Sequence, residues 1–588
     1  MIRYFKEHYA KIYPCTPLNS IILLLFTLFL HGCGGSSDSK EEVVVTPPVI
    51  TPPVITPPET PPFDVSDFAQ NAYNDNFTSA HFSGSNNCAT CHDGIRDSAG
   101  NDLSLVKDWS ASMMANAAKD PLWKAKVNSE INRNPQLSDV IADKCTRCHM
   151  PMANIESHYD GKTVKLFDDG FLDPNHERHD EVMDGVSCTL CHQIAGNDTF
   201  GTEEGMSGHF VVEEQRYIYG QYSDVLTRPM QNNVNYTPTY SKHVSSAKLC
   251  ASCHDLKTPF VDESGTLVAD KTFPEQMPYI EWQASDFADE GATPSTCQQC
   301  HMPQVNNAGV SISTVPNNLR QRDQFSQHLF LGANTYMLSI LKNNAAELNT
   351  EQVSFDNLIN RNREFLKTAG SVDVIHSSLV NDELIFDLQV NNAIGHKLPT
   401  SYPSRRVYLH VVIKNDAGDI VFESGKTQHD GSIDGNDADI DNTKFEPHYQ
   451  VITSADQVQL YETVMGDVAD NVTYTLLEAG QYLKDNRILP KGFNKETAPE
   501  DIAVYGLANT DNTFIQGKDS LRYQVDVSQF SGNNFWVEIA LNYQPVAYSF
   551  LQDLFDDDSI AVERFKKYNE RAVVKFETIA EQRIQITR

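Results

Sequence analysis

Hydrophobic residues are arranged along this chain in four different ways. From Ile21 to Leu30 they run unbroken except for Thr27. Between about residues 66 and 333 they form short clusters among loop-forming residues, which predicts short helices and loops. One of these helices is expected over Asp108 to Asp120, carrying Met113 and Met114 and stopping before Pro121. From about Asn334 to Thr368, Leu338, Leu341 and Leu348 recur among acids and amides, the pattern of a helical connector. Beyond about Gly370 the period falls to two. Glu383 to Val390 and Arg406 to Ile413 read as strands, and the turn residues Asn415 to Gly418 lead into Ile420–Phe422. Phe550 to Tyr568 returns to helical spacing and is expected to close the domain. The expected fold is α+β and multidomain: a loop-rich, mainly helical module over 66–333, a connector over 334–369 and a β-sandwich-like domain over 370–588.

The apolar run at Ile21–Leu30 follows Arg3, Lys6 and Lys11 and precedes Gly32-Cys33. It is too short for a membrane span, which needs about 20 helical residues, and reads as a secretion signal. Small Gly32 before Cys33 resembles the cleavage box of bacterial lipoproteins, so residues 1–33 are expected to be a signal with Cys33 as the lipidated residue. By the same resemblance, Gly34, Gly35 and Ser36 favour the outer membrane, on its periplasmic or its cell-surface face; a soluble periplasmic protein is the alternative. Residues 34–65 repeat Thr-Pro-Pro at Thr46, Thr51 and Thr56, which predicts an extended polyproline tether. A formal charge of −33 speaks against nucleic acid, whose phosphates need a basic surface, and points to cationic partners.

Cysteine placement changes the picture most. Setting aside Cys15 and Cys33, ten remain, and all ten lie in Cys-x-x-Cys-His: Cys88, Cys91 and His92; Cys145, Cys148 and His149; Cys188, Cys191 and His192; Cys250, Cys253 and His254; Cys297, Cys300 and His301. With 12 cysteines and 19 histidines in 588 residues, chance predicts about 0.008 such pentapeptides. Two thiols so spaced add across the vinyl groups of one haem, and the adjoining histidine becomes an axial iron ligand. Zinc sites need no histidine after each pair, and a disulfide framework has no such regularity. Five covalent c-type haems are therefore expected, each supported by only about 50 residues of chain, so that the macrocycles form much of the interior.

Whether each iron gains a sixth ligand separates an electron wire from a catalyst. His81, His179, His243 and His328 are the favoured candidates, with His396 from a turn in the β-rich half and the thioether of Met114; His158, His176 and His209 stand in reserve. His243 and His81 each precede a motif cysteine, Cys250 and Cys88, by the same interval.

The stretches WSASMMANAAKDP, CTRCHMP, GVSCTLCH, KLCASCHD, YIEWQASDF, CQQCHMP and QHLFLGAN together resemble the multihaem cytochromes c related to the tetrahaem cytochromes of nitrifying bacteria, over roughly residues 80–340. The resemblance implies stacked, mostly bis-histidine haems in a helical, loop-rich module. That broad group shades into enzymes of small nitrogen and sulfur compounds, several of which mark a catalytic haem with lysine or a tyrosine crosslink; every motif here keeps histidine. GHKLPTSYPSRR and YLKDNRILPKGF resemble a C-terminal domain that accompanies haem modules in exported cytochromes.

His410 alternates with apolar neighbours and reads as structural, while the acidic run from Asp430 to Asp441 lacks the glycine placement of an EF-hand and reads as a solvated acidic loop, with calcium as the alternative. No catalytic constellation is evident in the β-rich half. Three functions are expected in decreasing order: electron transfer to redox partner proteins or an extracellular acceptor, reduction or oxidation of a small nitrogen or sulfur compound at an open haem, and adhesion through the β-domain. A pyridine haemochrome assay with intact mass of the matured protein is expected to give five tetrapyrroles, and replacing both cysteines of one motif by alanine to remove one; finding none would overturn the reading.

Overall fold

A cysteine pair followed by histidine needs only two helical turns, and the helices of the first half are correspondingly short. The computed structural model describes residues 73–316 and 319–588; the expected signal sequence, Cys33 and the Pro/Thr tether lie outside the described residues. The described residues fall within one compact unit, Phe63–Arg588. The motifs occupy helices Ser85–His92, Ser138–His149, Cys188–Cys191, Lys248–His254 and Cys297–His301. Small two-stranded ribbons fill the intervals between some of them: Tyr217–Gly220 with Thr237–Tyr240, Leu256–Val261 with Leu267–Gln276, and Gln304–Val310 with Arg322–Ser326.

The helix expected before Pro121 is interrupted. It runs only from Leu105 to Ser110, because the Asn116 amide donates to the carbonyls of Ser110 and Ser112 and turns the chain aside. Pro121 instead begins the helix Pro121–Arg133, where its missing N–H costs nothing. The Asp120 carboxylate caps that helix by accepting from the N–H groups of Leu122 and Trp123. The connector is likewise two helices, Thr335–Asn343 and Asp356–Leu366.

The second half is β-rich. One sheet has the order Val451–Ile452, Lys518–Asp526, Glu383–Asn392, Gly370–Val380; the other has Gln481–Asp485, Leu460–Gly466, Arg406–Asn415, Asn534–Gln544, Glu577–Thr587, with Ile420–Ser424 also paired to Arg406–Asn415. Alternation in Glu383–Asn392 buries Leu384, Phe386, Leu388 and Val390. These side chains share one core with Val407, Leu409, Val411 and Ile413 from the other sheet, which makes the pair a sandwich.

Helices Tyr548–Phe555 and Ile560–Arg571 leave the sandwich between its last two strands. They share a core with the connector and with Leu122 and Ala125 of helix Pro121–Arg133, so they fasten the two halves together as well as closing the β-rich one. Arg133 fixes this junction: its Nε lies 3.1 Å from Asp557 Oδ2, and its Nη1 lies 3.0 Å from Asp553 Oδ2 and 2.7 Å from Thr475 Oγ1. Among the described residues no helix is long and apolar enough to cross a membrane. Arg133→Ala is expected to lower thermal stability by about 2 kcal/mol, since charge-assisted hydrogen bonds are lost at a half-buried site; an unchanged melting temperature would mean that the clamp contributes nothing.

Candidate metal centres

Positions i, i+3 and i+4 of a helix lie on one face, so both thiols and the following imidazole of each motif point the same way. Across motifs, the thiols of Cys88 and Cys188 meet, as do those of Cys148 and Cys253 and of Cys250 and Cys297. Cys191 in turn lies near Cys250 and Cys253. All five motifs thereby form one connected set, with the fourth motif joined to the second, third and fifth.

Two of the candidate histidines, His328 and His396, each face a motif histidine. The rings of His192 and His328 are nearly parallel, 19° apart with 6.3 Å between centroids, and those of His301 and His396 are 15° apart at 6.3 Å. That separation is too wide for the rings to stack on each other. It matches two imidazoles on opposite sides of one metal, because on each side a metal–nitrogen bond of about 2.0 Å and roughly 1.1 Å from nitrogen to ring centre give a total of about 6.2 Å. Hydrogen bonding sets the tautomer in all four. Nδ1 donates to a carbonyl in each: His192 to Tyr219 at 2.7 Å, His328 to Ser326 at 3.2 Å, His301 to Leu331 at 2.5 Å and His396 to Lys397 at 3.0 Å. Nε2 is left as the lone-pair nitrogen, the arrangement in which a second-shell acceptor orients a metal-bound histidine. The rings are half-buried, and desolvation is the largest cause that holds His328 and His396 down at about 4. The donor set therefore fits axial ligation of haem iron.

His92 donates Nδ1 to the Ile312 carbonyl at 2.8 Å, and His149 stacks on Trp123 at 4.5 Å. Buried His81 and His179 have the same tautomer as the pairs above. Nδ1 of His81 lies 3.1 Å from Glu156 Oε2, and Nδ1 of His179 lies 3.3 Å from the Phe171 carbonyl. His243 differs. Its Nε2 donates to the Ile194 carbonyl at 2.8 Å and its Nδ1 pairs with Ser241 Oγ at 2.6 Å, so neither nitrogen is left for a metal. Of the reserves, exposed His158 holds Asp143 Oδ1 at 2.6 Å, His176 accepts the Arg178 N–H, and His209 is exposed. Met114 is half-buried in the turn after Ser110, and its carbonyl accepts the Val186 N–H.

None of the ten cysteines is in a disulfide. Enclosure pushes the Cys191 thiol up to about 11 and raises Cys145 as well, whereas hydrogen bonds from Cys253 and Cys250 lower Cys148 and Cys297. Residues 87–193, which hold the first three motifs, match the family model described as cytochrome c554 and c-prime. A solved structure, a penta-haem cytochrome c552 from Thermochromatium tepidum, is similar at 14% identity with a TM-score of 0.47, covering 86% of this chain and 100% of that one. No curated protein matches.

Outside the motifs, four carboxylates of the acidic run over Asp430–Asp441 have separate partners, as a solvated loop would. Asp439 is buried in an ion pair with Arg406 Nη2 at 2.7 Å, Asp434 accepts from Gln428, and Asp430 and Asp441 cap their own turns at Ser432 and Thr443. Their carboxylates are spent separately and do not converge. His410, as expected, is held structurally, by Glu423 at 3.1 Å.

Among the described residues the metal-compatible cluster is His448, Asp511 and Asp519, all buried. His448 Nδ1 accepts from the amides of Gln459 at 3.0 Å and Asn486 at 3.1 Å. Those amides are oriented in turn by the Tyr449 and Glu462 N–H groups. The proton is thus on Nε2, which donates to Asp511 Oδ2 at 3.2 Å and offers no lone pair to a cation. Burial works against the Asp511 charge, but His448 and the N–H and hydroxyl of Thr513 outweigh it and hold the carboxyl at about 2. Because that lies below the ordinary value of 3.8, the stability it contributes is complete above about pH 4 and lost as the pH falls toward 2. Asp511→Asn is expected to melt lower at neutral pH and to show a flatter loss of melting temperature between about pH 4 and pH 2; an acid limb identical to wild type would refute this assignment.

Proposed function

We propose, from the match of residues 87–193 to the family model described as cytochrome c554 and c-prime and from the five Cys-x-x-Cys-His motifs, that this chain is a multihaem cytochrome c that binds five haems covalently and carries electrons, exported and lipid-anchored at Cys33 in the outer membrane. The observation that carries the proposal is the pair of parallel imidazole sandwiches, His192 with His328 and His301 with His396, each at 6.3 Å. When bound, haem supplies one-electron oxidation and reduction. The protein supplies attachment, orientation and spacing. The five motif histidines hold one side of each site, and His328 and His396 hold the other side of the third and the fifth. His81, oriented by Glu156, and His179, oriented by Phe171, are proposed for two of the remaining positions, with the Met114 thioether for the last. His243 is left out because both its nitrogens are used. Cysteines of different motifs approach one another, which would set neighbouring sites close enough for electrons to pass along the set.

Acidic composition supports a cationic docking face on the redox partner, with association weakened by salt. An extracellular acceptor reached through the Thr-Pro-Pro tether is the alternative destination.

Two measurements test this reading. His328→Ala and His396→Ala are each expected to convert one ferric haem from low to high spin, seen by electron paramagnetic resonance and absorption. Carbon monoxide added to the reduced protein is expected to leave the bis-imidazole haems unchanged. A stoichiometric shift that persists when Met114→His replaces the thioether would overturn the carrier in favour of a reductase or oxidase of a small nitrogen or sulfur compound.

A further inference from the structure

His396 is on a loop of the β-rich half, whereas His301 belongs to the last motif helix of the first half. A loop is a poor support for an axial ligand, whose position matters to within about 0.5 Å. Four buried charged residues meet next to this loop. Glu281, on helix Pro278–Gln283, is fully buried in the first half. Its Oε2 accepts from the Lys397 backbone N–H at 3.1 Å and from Thr400 Oγ1 at 2.5 Å, and its Oε1 lies 2.8 Å from Arg487 Nη1. Arg487 in turn holds both oxygens of Asp485, at 2.9 and 2.7 Å, and the Lys397 ammonium reaches Asp485 Oδ2 at 2.7 Å and the Ala503 carbonyl at 3.1 Å.

The loop is pinned from the other side too. Asn392 Nδ2 donates to the carbonyls of His396 and Ile488, each at 2.8 Å, and Leu398 and Ile488 exchange both backbone hydrogen bonds at 3.0 Å. Gly395 lies so close to Trp282 and Phe287 that a Cβ there would come within 3.2 Å of Trp282 Cδ1 and 3.1 Å of Phe287 Cβ. The residues on either side of His396 are thus held by groups from both halves.

Such a network is an expensive way to gain stability, because desolvating four charges offsets most of their attraction and apolar residues often do as well. What it provides is position. Glu281 touches the loop backbone, the loop hydroxyl and the charged set together. We propose that Glu281, acting with Arg487, Asp485 and Lys397, is a positioning residue that holds His396 opposite His301 and so fixes the ligation of the fifth haem from across the junction between the two halves. The inference rests on the reading of His396 as the ligand facing His301.

The test uses the fully matured protein. Glu281→Ala is expected to lose the low-spin signal of one haem, the same one lost in His396→Ala, and to shift that haem's midpoint potential. Thr400→Val removes one pin without uncovering a charge and is expected to lose part of the same signal; it also serves if Glu281→Ala fails to mature. Arg133→Ala loosens the junction elsewhere and is expected to leave all haems low spin. If His396→Ala leaves the spectrum unaltered, the ligand reading fails and this inference with it. If His396→Ala removes the signal while Glu281→Ala and Thr400→Val keep it whole, the ligand reading stands and the inference alone is wrong. Loss of the signal in Arg133→Ala would also overturn it, by showing that any loosened junction has the same effect.

Discussion

Two imidazoles held parallel across 6.3 Å, with their protonated nitrogens turned outward to carbonyls, is the constraint on which the arrangement of this chain depends. One partner of each pair is fixed locally, since a histidine directly after the second cysteine shares a helix face with both thiols. The other must be brought from far along the chain and placed without a covalent tether. His328 arrives just after the ribbon strand Arg322–Ser326, whose Ser326 carbonyl fixes its ring. His396 arrives on a loop of the sandwich. Much of the remaining structure, from the ribbons to the junction helices, serves to bring distant segments up to short motif helices that have little core of their own.

This explains the division between what the residues disclosed in order and what required the fold. The five motifs were legible because the chemistry of attachment dictates a contiguous pattern. The strand around Leu388 was legible because burial on one face dictates a period of two, and the strand around Leu409, buried at nearly every position, was legible as an apolar run. His328 and His396 could be named as candidates, but their partners could not, because pairing is set by long-range packing. His243 was misleading: its interval before Cys250 suggested ligation, whereas its Nε2 is spent on the Ile194 carbonyl. The helix expected up to Pro121 was read from the wrong end. Asp120-Pro121 is a capping residue followed by proline, a signal for a helix start, and giving it that weight would have placed the boundary correctly.

The Glu281 set was hidden for a different reason. Each of its members is an ordinary charged residue in sequence, and nothing local says that Glu281, Lys397, Asp485 and Arg487 converge out of water. The trace that does exist is indirect. GHKLPTSYPSRR contains Lys397 and YLKDNRILPKGF contains both Asp485 and Arg487, so the two stretches that stood out by resemblance are the two that meet. Calcium, by contrast, was suggested by a local run of acids, and the fold dispersed them: a charge cluster in sequence need not be one in space.

Because His396 comes from the second half, assembly has a direction. On the proposed export the chain would emerge from its amino end, so the cysteines at 297 and 300 would become available for haem attachment well before residue 396 had been threaded through and the sandwich that carries it had formed. On the proposed ligation, the fifth site passes through an interval in which its cofactor is already attached but its coordination sphere is incomplete. The last site to mature is thus the one that certifies that the rest of the polypeptide has arrived.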